Sequence, residues 1–549
     1  MLSEIKNING LPTLTVDGAP LPEMAYITYI PDNNRYADFA EAGVKLYSVN
    51  LNFSEMPINE NAPVLVFQKG IFEKEEPDFS IVQKNFDEIL RACPDAYIFP
   101  RVNVNLSRAW ELSHPEELCK YGRSGRTRAS FASDLWAEEV KKHLVELIDY
   151  IENSNYAAHV IGYQLAGGNT DEWFPFDDYG FYGKRAKEKF LEYCEDNRCK
   201  KTEESYYKFA SETIADRIIE FAEAVKKATG NRKIVGAFYG YTIGCPHRTQ
   251  CHLALGRLLR SDAVDFLCSP LTYFHGRQAG LDTYPMIPVG SLKQHDKLYF
   301  SENDIRTHLS RPVSPHPNYS KKIWTGQKKS ISLEQIKINF CRALIYGNSM
   351  WWFDMWGGWY DDPDFMSAFR RMSEICADGT DKPMCDVAVF TDENCYFGLP
   401  SHKNIIWNTC NQLGLTGTMN NIFLASDFDE VYNEYKVCIF VQPVETELLT
   451  RCINKARLSG KAVKVVTEDD ADLTAEEFRK FMSDAGMSIC VPQNTVVYTG
   501  EKYIAFHAHK NGVYDLTLDG RKTFTDLFTG EEISFPREIK NTVCWLFSR

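Results

Sequence analysis

Two carboxylates stand where short apolar runs end. Glu172 lies in VIGYQLAGGNTDEWFPFD, residues 160–177, where a stretch fit for a buried strand stops at Gly167 and Gly168 and then presents Asn169, Asp171, Glu172 and Trp173. Glu302 follows the apolar residues 298–300 in KLYFSENDIRTH. Two carboxyls facing each other about 5 to 5.5 Å apart can break a glycosidic bond with retention: one attacks the anomeric carbon, the other protonates the leaving oxygen and later activates water. The attacking group works ionised and the acid protonated, so their environments must differ. Trp173 and Phe174 predict a desolvated Glu172 with a raised pKa, while Asn303 and Arg306 predict an ionised Glu302. Asp171, adjacent to Glu172, is a second candidate for the acid, and as a polar-loop residue it is equally fit to cap a helix.

Other residue types suit the same cleft. Arg101 and Asn103, in FPRVNVN, can hold a hydroxyl, steady a carboxylate or form an ordinary internal ion pair. Tyr273 can donate a hydrogen bond to the nucleophile. SMWWFDMWGGWY carries Trp351, Trp352, Trp356 and Trp359, and an indole stacks well on the apolar face of a pyranose. Alternation along a strand sends two of the four into the core; Trp352 and Trp356 are the candidates for the cleft. CPHRTQCH gathers Cys245, His247, Cys251 and His252, but no CxxC pair recurs with zinc-site spacing, so no metal is assigned.

The elements that must position these residues alternate. EMAYITYI, GVKLYSVNL, AYIFPRVNV, HVIGYQLAG, KIVGAFYGYT, VDFLCSPL, KLYFSEND and SMWWFDMW read as eight strands. Between them, DLWAEEVKKHLVELIDYIENS places Leu135, Val140, Leu144, Leu147 and Ile151 near helical spacing. SYYKFASETIADRIIEFAEAVKKATG ends in lysines and Gly230, and SLEQIKINFCRALIYG offers Ser332 and Gln335 as a capping box. Eight strand-helix units within residues 1–378 predict a closed (β/α)8 TIM barrel, whose working face is formed by the loops at the strand C-termini. Glu172 then follows the fourth strand and Glu302 ends the seventh, on opposite sides of the mouth.

After ADGTDKPMCD, the strands DVAVFTD, KVCIFVQP and KAVKVVTED, with a crossover helix over residues 446–460, predict a small flavodoxin-like α/β domain at 384–487. No glycine-rich phosphate loop follows its first strand, which argues against a nucleotide. TVVYTG, KYIAFHAHK, VYDLTLDG, TFTDLF and EEISFP then switch to period two, a small antiparallel β-sandwich at 490–549. The net charge of -14 over 549 residues excludes a polyanion-seeking surface, so neither nucleic acid nor an anionic membrane is an expected partner. No basic-then-apolar leader and no long apolar run is present, and the 16 cysteines are scattered; the expectation is a cytoplasmic protein with reduced thiols.

The barrel, the α/β domain and the short β-domain, together with HVIGYQ, KLYFSEND and EQIKINFCRALIYGNSMWWFDMWGGW, resemble the family 42 β-galactosidases of glycoside hydrolase clan A over nearly the whole chain. The resemblance implies Glu172 as acid/base, Glu302 as nucleophile, Asn169 as ligand of the sugar 2-hydroxyl and Trp356 as a platform. It implies no cofactor, a short β-glycoside or oligosaccharide as substrate, and a trimer joined through the middle domain. The clan normally has Asn immediately before its acid/base Glu, four residues beyond the strand's Gln; here Gly168 holds that spacing and Asp171 precedes Glu172. A divergent member is therefore expected: a retaining exo-acting β-galactosidase-like enzyme, with a β-mannosidase, a β-glucuronidase or an inactive carbohydrate-binding barrel as alternatives.

Overall fold

The computed structural model describes residues 1–22, 24–57, 67–119, 128–243, 247–273, 277–310, 326–399, 405–489 and 491–549. Eight parallel strands close a barrel: β1 (Met24–Thr28), β2 (Leu46–Asn52), β3 (Arg101–Asn103), β4 (Gly162–Ala166), β5 (Ile234–Phe238), β6 (Phe266–Pro270), β7 (Leu298–Asn303) and β8 (Ser349–Phe353). Each pairs with the next, and β8 returns to β1. A stub at Tyr97–Ile98 precedes β3, parted from it by residues 99–100, where Pro100 has no N–H for the ladder.

The strands read as apolar runs because both faces are buried, one against helices and one against the lumen. In the lumen an aromatic layer centres on Phe300, with ring centroids 5.2 Å from Phe99, 5.4 Å from Phe266 and 5.7 Å from Trp351. Gly236 makes room for it, since a Cβ there would come within 2.4 Å of the Phe266 ring. Phe300→Ala would empty the centre of this layer and is expected to cost about 3–5 kcal/mol in urea unfolding.

The N-terminal end of the barrel is closed by an antiparallel hairpin, Ser3–Ile8 with Leu11–Val16. Leu14 and Val16 join the lumen cluster, and Ser3 Oγ accepts the Ile234 N–H at 3.1 Å. The sequence reading places no strand there.

Helix Asp134–Glu152, capped by Ser133, buries Val140, Leu144, Leu147 and Ile151. Leu135, expected on that face, is exposed; Trp136 is buried instead. Helix Glu203–Ala228 starts at a Thr202–Ser205 capping box. The box expected at Ser332 and Gln335 is absent, because helix Lys329–Tyr346 begins a turn earlier; Ser332 Oγ accepts the His308 N–H at 3.1 Å, and Gln335 donates to the Arg277 carbonyl. The middle sheet has four parallel strands rather than three: β9 (Val387–Thr391), β10 (Asn420–Leu424), β11 (Val437–Val441) and β12 (Ala462–Val466), in the order β10-β9-β11-β12. The added strand, NNIFL, opens on two asparagines, which hid it. The C-terminal residues form a three-stranded antiparallel sheet (Val496–Thr499, Tyr503–Ala508, Val543–Ser548) and two short ribbons. No described helix is long and apolar enough to cross a membrane.

Candidate active site

The loop after β4 is tightly determined. Asn169 N–H donates to the Phe174 carbonyl at 3.0 Å and Trp173 N–H to the Gly167 carbonyl at 2.7 Å; the Asn105 side chain holds both polar groups of the Gly168 backbone. Thr170, Asp171 and Trp173 all have positive φ, 66°, 62° and 62°. Left-handed backbone at three non-glycine residues in four is costly and persists where the surroundings enforce it, commonly at working sites. Gly168 is itself at φ +70°, and a Cβ there would lie 2.3 Å from the Phe174 carbonyl oxygen. Gly168→Ala is therefore expected to break the ring of hydrogen bonds, lower stability by about 1–3 kcal/mol and remove most activity, as read by thermal unfolding and kcat.

This turn separates the two carboxyls. Asp171 is buried and accepts the side-chain amides of Asn50, at 2.7 Å, and Asn103. Glu172 faces the other way, accepting the Thr170 hydroxyl at 2.6 Å and the Tyr241 hydroxyl at 3.2 Å. Burial pushes the Glu172 carboxyl up to about 8, helped by the negative charge of Glu302; the Thr170 and Tyr241 hydrogen bonds and Arg101 pull the other way. Asp171 is also raised by burial and drawn down by Arg101 and its two amide donors. It caps no helix.

Glu302 ends β7 almost fully buried. Its cationic partner is Arg101, from β3, at 3.5 Å, and not the expected Asn303 or Arg306. Asn303 donates backward to the Ser301 and Trp351 carbonyls, and Arg306 pairs with Asp304. Burial pushes Glu302 up to about 7; Arg101 opposes that rise most strongly. Arg101 is wholly enclosed, donating to Gln164 at 3.1 Å and to the Tyr29 hydroxyl at 3.0 Å. Tyr29 in turn donates to the Thr170 carbonyl at 3.4 Å, so one hydroxyl links the residue holding Glu302 to the loop carrying Glu172.

Of the sequence candidates, Arg101, Asn103, Asp171, Glu172 and Glu302 come together, with Asn169 buried at the root of the turn. Tyr273 meets Tyr241, hydroxyl to hydroxyl, at 3.1 Å. Trp356 is half-buried at the mouth, 6.1 Å from Tyr29 between ring centroids. Two indoles point elsewhere. Trp173 is fully buried behind the loop, bonded to the Leu165 carbonyl at 3.0 Å and packed on Phe131, so it neither stacks on a ligand nor desolvates Glu172. Trp352 packs outward on Phe369, and its neighbour Trp351 faces the lumen beneath Arg101. Tyr29, Asn50, Gln164 and Tyr241 were missed; Tyr29 and Tyr241 each lie just past an apolar strand, the rule that picked out Glu302.

His252 stacks on Tyr239, and its Nδ1 accepts the Tyr241 N–H at 3.3 Å; burial lowers its pKa to about 3, keeping it neutral. Cys245 lies outside the described residues. Among those described, no three His, Cys, Asp or Glu side chains gather to hold a metal.

No family model matches the sequence, and no curated protein matches it. Solved structures match it nearly end to end. The β-galactosidase of psychrophilic Marinomonas ef1 superposes with a TM-score of 0.63 at 10% identity, over 96% of this chain and 100% of that one. The cold-adapted β-galactosidase of Rahnella sp. R3 gives 0.62 at 11%, over 100% of both chains. An apo exo-carrageenase of family GH42 from Bacteroides ovatus gives 0.62 at 11%, over 100% of this chain and 86% of that one. The chain shares the fold of these β-galactosidases nearly end to end, at 10–11% sequence identity.

Proposed function

We propose that the protein is a retaining, exo-acting β-glycoside hydrolase in which Glu302 attacks the anomeric carbon and Glu172 serves as acid and then base, with β-galactosides as the first substrates to test. The observation that carries this reading is the pair itself: a half-buried carboxyl in the loop after β4, held by two hydroxyls, and a buried one on β7, held by an arginine. Arg101 stabilises the ionised nucleophile, and Glu172, raised by burial, holds the proton destined for the leaving oxygen. When Glu302 becomes an ester it loses the charge that helps hold Glu172 up. Glu172 then becomes more acidic just as it must accept a proton from water.

Hydrolysis of nitrophenyl β-galactoside, β-glucoside, β-mannoside and β-glucuronide is the direct test. Silence across the panel from folded protein would favour a binding-only barrel. A β-glucuronide is the second choice, supported by two guanidiniums, those of Arg277 and Arg306, brought beside Glu302 by their pairing with Asp304. We also place the protein in the cytoplasm, which the free thiols of the described cysteines support, as a homotrimer that light scattering would verify.

Activity should trace a bell against pH. It falls below about 7 as Glu302 gains a proton and above about 8 as Glu172 loses one, the two limbs belonging to the coupled pair. Tyr241→Phe removes a hydrogen bond that lowers Glu172, so the alkaline limb of kcat/KM should move upward. A limb that stays in place would exclude Glu172 as the acid.

A further inference from the structure

A cavity of about 330 Å³ shares no residue with the site above and lies where the barrel's flank meets the C-terminal edge of the middle sheet. In that sheet the chain leaves β9 for β10 on one side and then crosses back to β11 on the other. The switch point of such an order lies between β9 and β11, outside the carboxyl ends of the strands, and the cavity borders it through the loops after β9 and β10 and through Leu448 beyond β11. Its volume is in the range that takes a small molecule.

The charges lining it are unevenly matched. Arg257 is satisfied by Glu212 at 2.9 Å and Asp216 at 2.8 Å. Asp392 is engaged in capping its own turn, and the Glu393 carboxyl accepts the N–H groups of Leu255 and Gly256 across the domain boundary. Neither Lys208 nor Arg260 forms an ion pair among the described residues: Lys208 donates to the Asn394 amide oxygen at 3.2 Å, and Arg260 acts on the Glu393 carboxyl only from a distance, drawing it down against burial. Phe397 and Leu448 contribute apolar lining to the same cavity.

We propose that this cleft binds a small organic anion of monosaccharide size, a phosphate- or carboxylate-bearing sugar, with its anionic group between Lys208 and Arg260 and its carbon frame against Phe397 and Leu448. A charge-assisted contact to two cations at a partly enclosed site is the interaction that would select such a ligand over a neutral sugar.

Titration calorimetry of the full chain with glucose 6-phosphate, glucuronate, glucose and inorganic phosphate tests this, alongside the double variant Lys208→Ala/Arg260→Ala. Arg260 is exposed and Lys208 half-buried, so the variant should fold, and its unliganded melting temperature checks that it has. The expected result is saturable binding of at least one acidic sugar, weakened tenfold or more in the variant, with none for glucose; which acid binds decides between the ester and the carboxylate. Silence from both acidic sugars, equal affinity in the variant, or inorganic phosphate binding as tightly as the sugar phosphate would overturn the proposal.

Discussion

Glu302→Gln is expected to lower kcat on the best aryl glycoside by about 10⁴-fold or more, because in the proposed reaction Glu302 forms the glycosyl ester. The substitution keeps the shape of the side chain, and the amide oxygen can still accept from Arg101, so melting temperature and ligand affinity should change little. Glu302→Gly should be equally inactive in water but regain turnover with azide, which would enter from the vacated face and give the inverted glycosyl azide. Normal turnover by Glu302→Gln would end the double-displacement reading. Unchanged sugar affinity with no wild-type turnover would instead describe a binding barrel.

The second large effect concerns the acid. Glu172→Gln should cost about 10²- to 10⁴-fold on alkyl glycosides, which need their leaving oxygen protonated, and far less on dinitrophenyl glycosides, which do not. The alkaline limb of the pH profile should vanish with it, and azide should now yield the retained product. Asp171→Asn is the control. Asp171 only accepts hydrogen bonds, from Asn50 and Asn103, so its loss should slow all substrates alike through the shape of the turn. A leaving-group dependence appearing in Asp171→Asn and not in Glu172→Gln would exchange the two roles.

The eight strands were legible because a strand buried on both faces is an apolar run whatever its partners. That Glu172 and Glu302 come to the same end of the barrel was legible because each follows such a run, and residues past the strand C-termini share one face. What failed was parity and distance. In the pair Trp351–Trp352 a shift of one residue exchanges lumen and outer face, and composition does not fix that register. Trp173 looked like a cleft residue until three left-handed residues turned it back on the strand that precedes it. The partner of Glu302 was sought in its own loop, but Arg101 lies 201 residues earlier, and only barrel closure brings β3 across from β7. The fourth strand of the middle sheet and the N-terminal hairpin were missed for a simpler reason, since each carries too much polar character to stand out.

Among the described residues, the hairpin that plugs the barrel floor leaves the mouth as the way in. Leu14, Val16 and the aromatic layer fill the lumen beneath the carboxyls and close it from behind. In the proposed reaction the leaving portion must back out of the mouth before water can take its place. An alcohol lingering in that doorway would meet the glycosyl ester first, so at high acceptor concentration the same architecture should hand the sugar to an alcohol and lengthen a chain instead of shortening it.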